Sequence, residues 1–168
     1  MKSFLKFAMI VIVSQIITYY IAGIIAQLVL GASEFYPPSP NAIRYLRDPH
    51  DPSLQVWILP AQALRGLLFA IALFPFRQRI RELGTWSGGL AIMGFIFVAG
   101  YVAASGGMVE HWVYFKAADY PLKFAAITFV EILIQSLLMG PSIVRLDKRF
   151  IRASVPSSLS NESPNPTS

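Results

Sequence analysis

"LPAQALRGLLFAIALFPF", residues 59–76, reads as a membrane-crossing helix with a charge set into it. Apolar letters flank Arg65 on both sides. The run approaches the roughly 20 residues that cross a hydrocarbon core of about 30 Å. An arginine at that depth costs about 2.5–3.5 kcal/mol on insertion scales, so something else in the chain must answer it.

Outward from this stretch, apolar runs of spanning length occupy about 7–30, 56–74, 86–104 and 122–140. The whole chain is 55% hydrophobic, has a mean hydropathy of +0.54 and is only 14% charged, where soluble proteins carry about a quarter. These runs predict an all-α integral membrane protein, with four transmembrane helices in one bundle and a single domain over 1–152. "VRLDKRFIR", residues 144–152, is expected to form a short amphipathic extension on the inner leaflet. The Pro/Ser-rich 153–168 reads as a disordered polar tail, too polar to bury a core. The first run is longer than the roughly 7–15 residues of a signal core, and Leu30-Gly31-Ala32 lacks the small residue expected three before a cut. It is read as a retained helix.

Basic residues set the expected orientation. Lys2, Lys6, Arg77, Arg79, Arg81, Arg145, Lys148, Arg149 and Arg152 fall on one side of the spans, and Arg44, Arg47, Lys116 and Lys123 on the other. The positive-inside rule then puts both termini in the cytoplasm, and the compact topology suits a bacterial inner membrane. The net charge of +5 is read as orientation and attraction to anionic lipid rather than nucleic-acid binding. Arg77, Arg79, Arg81, Arg145, Lys148, Arg149 and Arg152 are the expected head-group contacts. A membrane-protein partner or a homo-oligomer is a further expectation.

Several chemistries drop out. The chain has no cysteine, which removes thiol–disulfide exchange, thiolate metal sites and lipobox acylation. Its two histidines, His50 and His111, lie in loops, so no pair faces across helices to hold haem. Thiol oxidases and quinone reductases of this size need cysteine pairs, and lipoprotein signal peptidases need two intramembrane aspartates. Small multidrug exporters carry their glutamate in helix one, where this chain has no acid. No cofactor, metal or catalytic set is expected.

One acidic residue falls within the spans. Glu131 lies nine residues after Leu122, as Arg65 lies nine after Val56, so both are expected about 13 Å below the outer boundary. That match predicts an Arg65–Glu131 pair inside the bundle. Gln62 shares the Arg65 face, while Thr128 and Gln135 share that of Glu131. A guanidinium has five donors, so the glutamines are natural further partners, with Gln27 and Tyr101 nearer the outer surface. In "EHW", Glu110 and His111 add secondary ligand candidates at that surface.

Two functions follow from such a cluster, in this order. It acts as glue in a non-enzymatic accessory, assembly or structural subunit. Alternatively, it serves a small transporter, channel or lipid/anion-binding protein with Arg65 as the anion site. An intramembrane enzyme using Glu131 as acid or base comes third, since no nucleophile or second acid accompanies it.

Overall fold

Away from water a chain must satisfy its backbone groups internally, and a single apolar segment does so only as a helix. Each of the four runs is one. The computed structural model describes residues 2–43, 46, 48, 50–102 and 121–152, and every regular element among them is helical. Helix α1 is Lys2–Leu28, α2 Pro52–Leu73, α3 Arg77–Glu82, α4 Gly84–Phe97 with a π-helical turn at Val98–Val102, and α5 Leu122–Arg152. Four stretches are long and apolar enough to cross a membrane: Ser3–Leu28, Val56–Glu82, Gly84–Tyr101 and Leu122–Phe150.

Local signals explain the boundaries. Asp51 caps α2 by accepting a 2.8 Å hydrogen bond from the Ser53 amide, and Pro52 occupies the first turn, where its missing N–H costs nothing. Phe74–Phe76, with Pro75 at its centre, tightens into a 3-10 turn that leads into α3. Gly84, at φ 86°, then allows the chain to reverse into α4.

Helix α1 packs against α2 and α5, and α5 packs along α4. Small residues let these backbones approach. A Cβ built on Gly66 would stand 2.8 Å from Ile12 Cα, and one on Gly89 2.9 Å from Pro141 Cα. A Cβ on Gly140 would collide with the Gly89 carbonyl. Across the bundle α2 and α4 meet through side chains, with the Phe69 and Phe95 rings edge-on at 6.2 Å.

Two apolar cores result among the described residues. The larger includes Phe7, Val11, Ala70, Ile92, Met139 and Ile143, toward the end that carries the basic residues of α3 and α5. The smaller, with Ala26, Phe35, Phe124 and Ile127, lies at the opposite end, which carries the loop after α1.

The fourth helix extends beyond its apolar run. Residues 144–152 are helical, as expected of the extension, and run on from the apolar stretch as part of α5, past Pro141, an interior proline accommodated beside Gly89. The face of this last part formed by Ile143, Val144 and Asp147 is buried.

Candidate functional site

Between the two apolar cores lies a polar layer, and its arrangement differs from the predicted pair. No ion pair within 4 Å joins Arg65 to Glu131. Whatever their levels along the helices, the two side chains leave them in different directions. Arg65 turns toward α4: a Cβ on Gly100 would stand 2.9 Å from its Nη2 atom, and its guanidinium lies 5.7 Å from the Phe69 ring centre. Glu131 turns toward α1, where a Cβ on Gly23 would lie 3.9 Å from its Oε1 atom. Tyr19 of α1 stands within electrostatic range of both charges.

Helical packing explains the separation. Helix α1 sits between α2 and α5, so Glu131 meets α1 before it can reach α2. Neither charge has a hydrogen-bond partner among the described residues. Glu131 instead lines a cavity of about 280 Å³. Tyr19, Tyr20, Gly23 and Gln27 of α1 form one wall, and Ala32 and Tyr36 of the following loop cover it toward the loop end. The carboxylate is therefore the charged group presented to this space, with phenols and an amide around it.

The other expected members divide. Gln62 accepts a 2.8 Å hydrogen bond from Gln15 Nε2, which ties α2 to α1. Gln135 is buried and Thr128 half-buried on α5. Tyr101 donates to the Ala125 carbonyl at 3.3 Å and stacks on Phe97, so it ties α5 to the π turn. Gln27 lines the cavity. Glu110 and His111 lie outside the described residues.

Three groups in α1 escaped the sequence reading. Gln15 is fully buried, and its Oε1 and the nearby Ser14 Oγ have no hydrogen-bond partner among the described residues, while the Thr18 hydroxyl donates to the Ser14 carbonyl at 2.7 Å. Their spacing was a usable signal, because residues 11, 14, 15, 18 and 22 fall on one helical face.

Among the described residues, the buried ion pair lies at the basic end. Asp147, 2% exposed, accepts from Arg77 Nε at 3.0 Å and from Nη2 at 2.5 Å. Arg81 Nε lies 3.7 Å from Asp147 Oδ2, the oxygen that also accepts from Arg77 Nε. Arg77 Nη1 also donates to Ser3 Oγ, and its guanidinium lies 5.2 Å from the Phe7 ring centre. One residue thus ties α1, α3 and α5 together. Arg77 was expected among the head-group contacts but turns inward, because an aspartate one helical face away supplies the counter-charge. Arg79, Arg145 and Arg149 stay exposed, Lys148 is half-buried, and the Arg152 side chain lies outside the description. The signal for Asp147 was the spacing Gly140, Ile143, Val144, Asp147, which continues the packed stripe past the point where the apolar run stops.

Comparison with protein-family models, with curated proteins and with solved structures finds no match for this chain.

Proposed function

We propose that this chain is a non-enzymatic integral membrane protein that crosses a bacterial inner membrane four times and holds a small ligand in the outer half of its bundle. Both termini are cytoplasmic, and the exposed Arg79, Arg145 and Arg149 meet anionic head groups there. One observation carries the binding reading: Glu131 opens on a cavity of about 280 Å³ instead of being neutralised by Arg65. Structural glue is expected to close its charges against each other, whereas a binding site keeps one available. Arg65, half-buried beside Gly100 and Phe69, adds a positive potential near Tyr19.

Filling the cavity tests this. Gly23→Leu directs a side chain into the space in front of Glu131. Native mass spectrometry of wild-type protein extracted in lipid nanodiscs is expected to show a retained small molecule or lipid that the folded Gly23→Leu variant lacks. The same adduct mass on both proteins, or no adduct on either, overturns the proposal.

A second reading, the accessory subunit, draws support from the Gln15–Gln62 bond, a cross-helix contact of the kind that fixes register. Co-purification with one fixed membrane partner, lost on Gln15→Leu/Gln62→Leu, distinguishes it.

A further inference from the structure

We infer that the cavity beside Glu131 takes an ammonium group, carried by a small soluble amine or by an amine-bearing lipid head group. This rests on the reading of the cavity as a ligand site and names the chemistry it recognises. Among the described residues the lining includes one carboxylate, Glu131, the three phenol rings of Tyr19, Tyr20 and Tyr36, and the Gln27 amide, with no lysine, arginine or histidine. Aromatic faces attract organic cations through the ring quadrupole, most strongly where water is excluded. A carboxylate at the same space supplies the counter-charge and accepts the N–H bonds. An anionic ligand would face Glu131 with no cation among the described lining residues, and a neutral one would leave that charge unanswered. A bare divalent metal calls for several oxygen ligands of its own, and a single carboxylate does not supply them.

Size and access narrow the ligand further. About 280 Å³ is at the small end of ligand pockets, which run from roughly 300 Å³ upward, so the site suits a head group or a short amine. Tyr20 is 40% exposed and Ile24 55% exposed on the outer face of α1, which leaves the cavity a lateral side toward surrounding lipid. Soluble amine and lipid ammonium share the recognised chemistry, and the source is an experimental question.

The full chain in nanodiscs of pure phosphatidylglycerol provides the test, read as the thermal unfolding midpoint during titration with ethanolamine hydrochloride or tetramethylammonium chloride against sodium chloride of equal ionic strength. The expected result is a saturable rise in midpoint with either amine. Glu131→Gln should abolish the rise, and Tyr20→Leu, which keeps the carboxylate, should weaken half-saturation by about ten-fold. Should Glu131→Gln fail to fold, Tyr20→Leu alone decides. In a second arm the nanodiscs contain phosphatidylethanolamine. A higher starting midpoint there, with no further response to soluble amine, identifies the lipid head group as the source and supports the inference. An amine response that is equal in wild type, Glu131→Gln and Tyr20→Leu overturns it. No response to either amine or to phosphatidylethanolamine, with a retained molecule still lost in Gly23→Leu, overturns the ammonium assignment and leaves the binding site standing. No response and no retained molecule overturn both.

Discussion

Asp147 is the residue on which the basic end depends. Its carboxylate is 2% exposed and faces two guanidiniums, so Asp147→Ala leaves Arg77 in an apolar setting between Phe7 and Phe74 without its counter-charge. The expected loss is about 3–5 kcal/mol, the usual cost of stranding one member of a buried pair, measured by denaturant titration in detergent. Arg81→Ala should cost less, because that side chain is 32% exposed and contacts the carboxylate at only 3.7 Å. Arg77→Met/Asp147→Leu is expected to recover most of the loss, since two apolar side chains remove the charges together. The exposed Arg79–Glu82 pair stands in contrast: solvent screens it, and Glu82→Gln should leave stability nearly unchanged. The sequence displayed all of these charges, but burial assigned their roles. Asp147 in a basic run looks like a solvated residue until its helix is known to continue past Pro141.

At the scale of elements, the contact of α4 with α5 is set by glycine. Gly89 and Gly140 face each other so closely that a Cβ on either meets backbone of the other helix. Gly140→Ala is expected to push the helices apart and destabilise by about 1–3 kcal/mol, the range for overpacked cores. Gly94, on the same α4, has nothing within 4 Å of a Cβ built on it. Gly94→Ala should be neutral or stabilise by about 0.5–1 kcal/mol through helix propensity. Thermal unfolding of the two variants side by side checks the contrast. The existence of all four helices was legible from run length and hydropathy, and the Asp51-Pro52 start of α2 from its turn chemistry. The helical extension over 144–152 was legible too, but its merging with the fourth run into one unbroken helix was not, because a hydropathy boundary marks where the apolar run stops rather than where the helix does.

For the whole molecule, orientation is the proposal most open to a direct check. The chain has no cysteine, so any introduced thiol is unique. Asn41→Cys lies in the loop after α1 and Gln78→Cys on exposed α3, at opposite ends of the bundle. In intact cells a membrane-impermeant maleimide is expected to label Asn41→Cys and to reach Gln78→Cys only after permeabilisation. The reverse pattern would invert the assignment made from the basic residues.

Hydropathy and charge, read along the chain, determined that four helices are long and apolar enough to cross a membrane, and led to the expectation that Arg65 and Glu131 lie at one level within them. Both conclusions follow from distance along a helix axis, which the linear order of residues encodes. Rotation about the axis and the order in which helices neighbour one another are not encoded that way. Only the tertiary structure put α1 between α2 and α5, turned Arg65 to Gly100 and Glu131 to a cavity beside Gly23, and moved the buried ion pair to Arg77 and Asp147. Two charges at one depth meet only if their helices are adjacent and face each other, and packing of glycines and bulky side chains across the bundle decides that.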